Sequence, residues 1–181
     1  DQTEAMTLGT KIVVMKDGIV QQADTPDQIY RHPANKFVAG FIGAPSMNFV
    51  EAMVTEKNGA VYLEADAGVS LRAEGENEMV LRRNYLGKMV ILGLRPEDLQ
   101  EKATAEAHGI CSEENRIKAF VELREMIGAE AYLHMHAGRN QLTARVPSEA
   151  PVTVKDYITL YADMEKVQIF DPFTEENILC P

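Results

Sequence analysis

At 181 residues the chain is long enough for one domain or one and a fraction, and 45% hydrophobic with 25% charged residues excludes extensive disorder. No apolar run approaches the roughly 18 residues that span a bilayer, and Asp1-Gln2-Thr3-Glu4 has neither the basic cluster nor the apolar segment of a signal peptide, so a cytoplasmic location is expected. Of the net charge of −10, residues 49–181 carry −9; that surface repels phosphate backbones, and with no Trp to stack bases it argues against a nucleic-acid partner.

Thr3 to Leu8 reads as the last turns of a helix, with Gly9 as its left-handed stop. The β-branched run Lys11 to Lys16, the turn Asp17-Gly18 and the returning Ile19-Val20-Gln21-Gln22 predict a two-residue hairpin. At Thr25-Pro26-Asp27-Gln28 an N-cap, a proline at the first helical position, an acid near the positive helix end and a capping-box Gln coincide, predicting a helix to about Arg31. Pro33 stops it. Asn35 caps a second short helix with Phe37, Val38, Phe41 and Ile42 on its apolar face, ended by Gly43 and Pro45. Both helices read as packing elements.

After Ser46-Met47-Asn48 the texture changes to short strands separated by turn signals, so the domain boundary is expected there. Residues 49–56 and 60–65 flank Asn58-Gly59, a strong hairpin signal. Further strands are predicted at 69–73, 88–94, 117–126, 129–136, 140–146, 157–162 and 167–170, at spacings suited to a small barrel or sandwich. The polar, acidic stretches 74–78 and 101–115 read as mobile loops.

The most specific part of the sequence is its first fifty positions. Asp1 to Leu8, Ile12-Val13-Val14-Met15, Gly18, Gln22, Thr25-Pro26 and Tyr30 form an ordered series, followed by Pro33 to Gly43 and by Met47-Asn48-Phe49. This series resembles the end of the ATPase domain in MalK-type maltose and multiple-sugar ABC importers. Gly93-Leu94-Arg95-Pro96-Glu97 is similar to a Gly-hydrophobic-Arg-Pro-Glu signature in the same family's C-terminal domain. Thr10-Lys11 departs from the family's usual acid and base, and residues 74–87 and 101–115 fall outside the match.

The resemblance implies a mainly β fold: an OB-like (TOBE) β-barrel regulatory domain at 49–181, preceded at 1–48 by the α/β tail of an ABC nucleotide-binding domain. It implies a regulatory and dimerisation region of the ATP-binding subunit of a carbohydrate importer. ATP and Mg²⁺ belong to the parent protein, and no cofactor is expected in this chain. Implied partners are a second copy, transmembrane permease subunits, an extracytoplasmic sugar-binding protein and a cytosolic regulator. The assembled protein would sit peripherally on the inner face of the membrane.

Neither a phosphate-cradling Gly-x-x-x-x-Gly-Lys-Ser/Thr loop nor a Leu-Ser-Gly-Gly-Gln signature occurs in the sequence, so these residues are not expected to hydrolyse ATP. No catalytic residue is assigned and no metal site is expected, although His134 and His136 share one face of a strand with Tyr132. Arg95, Pro96 and Glu97 place opposite charges around a rigid turn, a candidate interaction surface or an ion-paired strand end. Cys111 and Cys180 read as reduced thiols. The competing function is a small-ligand OB module for an oxyanion or a sugar phosphate.

Overall fold

Glycine at position 9 ends the first helix, α1 (Gln2–Leu8), for a different reason from the one expected. It does not take the left-handed conformation; its amide donates to the Ala5 carbonyl (3.0 Å), and a Cβ there would stand 2.6 Å from that same oxygen. A computed structural model describes residues 2–179. Strands β1 (Ile12–Lys16) and β2 (Ile19–Asp24) pair antiparallel. Asp17 and Gly18 form the turn, both at positive φ, as the hairpin requires.

In α2 (Pro26–Arg31) the Thr25 hydroxyl accepts from the Gln28 amide (3.3 Å), the first half of the capping box. The other half goes elsewhere, because the Thr25 amide donates to Asp24 (2.8 Å). Asn35 caps α3 (Lys36–Phe41) by accepting from the Val38 amide (3.0 Å). Val14, Ile29, Val38 and Ile42 form the small core of this part.

The remaining strands follow in chain order: β3 (Asn48–Lys57), β4 (Ala60–Glu64), β5 (Ser70–Arg72), β6 (Met89–Leu94), β7 (Leu99–Gln100), β8 (Arg116–Ile127), β9 (Glu130–Ala137), β10 (Asn140–Pro147), β11 (Tyr157–Ala162) and β12 (Gln168–Phe170). They make two antiparallel five-stranded sheets, ordered β12-β6-β3-β4-β5 and β10-β9-β8-β11-β7. Inward side chains of both sheets, including Val50, Leu63, Leu92, Leu133, Leu160 and Ile169, share one apolar core; burying each contributes roughly 1.5–3 kcal/mol. The result is a mainly β, barrel-like fold, one of the two arrangements that the strand spacing allows and the one that the resemblance implies.

One polar side chain joins the sheets. Asn48 donates to the carbonyls of Leu94 and Thr143 (both 2.9 Å) and accepts from the Thr143 amide (2.7 Å), tying β3 and β6 to the edge of β10.

Two expected loops are helical. Residues 74–78 open α4 (Gly75–Asn84), and residues 102–107 of the other stretch form α5 (Lys102–Ala107). Each buries little, Asn77 and Leu81 in α4 and Ala105 in α5, so neither shows an apolar stripe in its sequence. Glu101 caps α5 by accepting from the amides of Ala103 (2.7 Å) and Thr104 (2.9 Å). Among the described residues no helix is long and apolar enough to cross a membrane.

Candidate functional site

The β6 strand runs out of the barrel into Arg95, and Pro96 then starts a single 3₁₀ turn to Asp98. This places Arg95 against α2 and the end of α3, where its guanidinium donates to the carbonyls of Tyr30 (2.6 Å) in α2 and of Ile42 (3.0 Å) just after α3. The same group lies 3.7 Å from the centre of the Tyr30 ring. Glu97 accepts the Tyr30 hydroxyl. Tyr30 is thus gripped at backbone, ring face and phenol by one turn of the barrel.

Arg95 and Glu97 therefore do not pair with each other. Burial lowers the Arg95 pKa to about 10, with Asp98 opposing that shift, so the side chain stays charged at neutral pH. Asp98 is buried as well, and loss of solvent raises its pKa to about 6. Lys166, 3.5 Å away, pulls the value down, while Glu97 and Asp163 push it up. Lys166 also bonds Asp163 at 2.9 Å.

A second attachment comes from the C-terminal segment. Asn177 donates from its side chain to the carbonyl of Pro33 (3.0 Å) and to Gln168 (2.8 Å), and from its amide to the Ala34 carbonyl (2.9 Å). Gln168 reaches the Arg31 carbonyl (3.1 Å), and the Lys36 amide donates to the Glu175 carbonyl (2.9 Å). The loop after α2 is held from the barrel side along its whole length.

Between these attachments opens a cavity of about 1120 Å³. Its walls come from α2, the Arg95 turn, residues 165–168, residues 74–77 at the start of α4, and Asn177 with Leu179. Helix α2, a packing element by its sequence, is one side of the site. The cations in the walls are engaged: Arg31 by Asp27 (2.6 Å), Lys166 by its two aspartates, Arg95 by carbonyls and a ring. The cavity offers a ligand apolar wall from Met6, Pro26, Val167 and Leu179 together with carboxylates such as Glu74, Glu76 and Glu165.

Of the residues expected to matter, Arg95 and Glu97 line the cavity, and Pro96 is buried behind them as the start of the turn. Asn77, Lys166 and Asn177 carry no sequence signal, since each depends on segments far apart in the chain, and Tyr30 enters the sequence reading only as a member of the resemblance series. Asp98 was visible only as the residue after the Arg-Pro-Glu triplet. His134 and His136 lie outside the cavity and face Glu125 (3.3 Å) and Glu122 (2.9 Å). Among the described residues no three His, Cys, Asp or Glu side chains are placed to share a metal ion. Cys111 is exposed, and Cys180 lies outside the described residues.

Two families match the chain, the MalK OB fold domain over residues 43–99 and the TOBE domain over residues 92–170. Among curated proteins, the trehalose/maltose import ATP-binding protein MalK of Thermococcus litoralis is 38% identical over 98% of this chain and 46% of its own length. The oligosaccharides import ATP-binding protein MsmX of Bacillus subtilis is 36% identical over 98% of this chain and 47% of its own. The chain thus spans about half the length of the curated relatives it matches. Among solved structures, the cytoplasmic molybdate-binding protein ModG shares the fold, with a TM-score of 0.53 and 16% identity over 69% of this chain and 96% of that one.

Proposed function

The chain belongs to the MalK-type family through its OB fold and TOBE domains, and from that premise we propose that residues 49–181 are the regulatory and dimerisation region of the ATP-binding subunit of a carbohydrate importer. Residues 1–48 are then the tail of its nucleotide-binding domain. The observation that carries this reading is the grip of the Arg95 turn and the Asn177 segment on α2 and the loop behind it. A barrel fastened this way moves with the tail, so holding two barrels together would constrain two ATPase domains as they open and close.

The β8–β9 hairpin supports the dimer. Leu123, Met126 and Ile127 at its end are exposed, an apolar surface that a second copy would cover. In the parent protein ATP and Mg²⁺ bind outside these residues, the permease subunits contact the ATPase domain, and the complex lies on the cytoplasmic face of the membrane. This chain is noncatalytic in that reading.

Light scattering behind size exclusion tests it. A concentration-dependent dimer is expected; a strict monomer at high concentration removes the autonomous dimerisation role. A phosphate-release assay is expected to show no ATP turnover, and robust turnover by clean protein overturns the noncatalytic assignment.

A further inference from the structure

Strand β8 turns apolar side chains outward where its own alternation would keep them in. Ile117, Ala119 and Val121 point into the core, and the same period of two would carry Leu123 and Ile127 inward after them. A β-bulge at Glu122 intervenes. The register against β9 shifts between Val121 and Leu123, so that Leu123 lies opposite His134 and Ile127 opposite Glu130. Both are therefore exposed, by 55% and 43%, on the outer face of the sheet. A bulge re-aims side chains at the expense of the ladder, which points to a use for that face.

Beside them the face is built of rings and of balanced charge. Tyr157, Phe120 and His136 lie opposite one another on β11, β8 and β9, with 5.3 Å between successive ring centres. His136 is held by Glu122 (2.9 Å), and Lys118 stands 4.9 Å over the Tyr157 ring. The outward charges of the four strands are Arg116, Lys118 and Arg145 against Glu122, Glu125 and Glu130, an even balance on a chain of net charge −10. Glu113 and Lys155, from the flanking loops, pair with Arg116 (2.6 Å) and Glu122 (3.1 Å) and offset each other.

We propose that two copies of the chain pair isologously through this outer face of the β10-β9-β8-β11 sheet, with Tyr157, Phe120 and His136 as its centre and Leu123 and Ile127 as its apolar end. The charges select a second copy as the occupant. A basic partner is drawn to the surfaces that carry the excess of −10, and an acidic one is repelled by the chain as a whole. Two copies repel through their net-negative surfaces, but not across a balanced face of mixed sign, which can complement itself as a two-fold interface must. Rings already packed against one another lose little freedom on contact. This interface rests on the dimerisation reading above and locates its contact. The other exposed apolar surface, Val13, Met15, Ile19 and Val20 of β1 and β2, belongs in that reading to the tail of the nucleotide-binding domain.

Sedimentation equilibrium on the whole chain at about 0.15 M salt tests this surface with substitutions of exposed side chains. Tyr157→Ser and Lys118→Glu are each expected to raise the dimer Kd about tenfold or more. Lys118→Glu/Glu125→Lys restores the balance of the face and is expected to recover the original Kd to within about threefold. Arg83→Glu makes the same change of charge on α4 and is expected to leave the Kd within about twofold. A dimer that tolerates Tyr157→Ser and Lys118→Glu overturns this surface while the dimerisation reading stands. So does a dimer abolished only by Val13→Asp/Ile19→Asp, which puts the contact on β1 and β2. Equal weakening by Arg83→Glu overturns it as well, as the mark of diffuse repulsion between chains of net charge −10. An unsubstituted chain that stays monomeric at high concentration removes the surface and the dimerisation reading together.

Discussion

Asp98 shows at the scale of one residue how burial turns an ordinary carboxylate into a pH-dependent one. Its pKa is raised from 3.8 to about 6 because water is lost around it, even with Lys166 at 3.5 Å. The native state then holds its proton more readily than the unfolded chain, so the stability this group contributes is full below pH 4 and is lost as pH rises through 6. Two pH units at about 1.4 kcal/mol each give a change on the order of 3 kcal/mol. Asp98→Asn has no such proton to lose. Its stability relative to the parent, from urea unfolding, is expected to rise by about that amount between pH 4 and pH 7; a constant gap would show that Asp98 does not titrate in this range. The triplet Arg95-Pro96-Glu97 announced a rigid charged turn, yet only folding supplies the Tyr30 ring and the carbonyls that Arg95 uses.

Among the elements, β6 carries a tight packing constraint at Gly93. A Cβ on Gly93 would stand 2.5 Å from Met47 Sδ and 2.9 Å from the Phe170 ring, so glycine is there for close approach and not for its backbone freedom. Gly93→Ala is expected to cost about 1–3 kcal/mol in urea unfolding, with Met47 or Phe170 displaced; an unchanged midpoint would mean that the flexible Met47 absorbs the methyl. Strands such as β3, β9 and β10 are readable because they have period-two burial and their own turn residues, as in Ala131, Leu133, Met135 and Ala137 of β9 pointing inward, whereas β6 is readable as a continuous apolar run buried over residues 90–94. Helices α4 and α5 were not, because a helix that buries one or two side chains leaves no periodic trace. The second half of the Thr25 capping box is lost because a local motif names a preferred partner and the nearer Asp24 takes its place; Gly9 keeps its bond to Ala5 outside the left-handed region, and glycine is required there by the lack of room for a Cβ.

Across the whole molecule the attachments decide how it behaves. Asn48 ties the two sheets, and Arg95 and Asn177 tie the first helices to them. Amides of α2 and α3 are therefore expected to exchange with the same opening free energy as those of β3 and β6, in one cooperative unit. Native-state hydrogen exchange measures this; free opening of the helices with the barrel intact would remove the rigid link on which the regulatory reading stands. The sequence by itself determined the starts of α2 and α3, the hairpins, the mainly β class and the family resemblance, because each rests on residues within a few positions of one another or on a continuous series. The tertiary structure alone decided the cavity, the grip on Tyr30 and the raised pKa of Asp98. Those properties arise where segments more than sixty residues apart are brought together out of water, and no local pattern encodes which of them will meet.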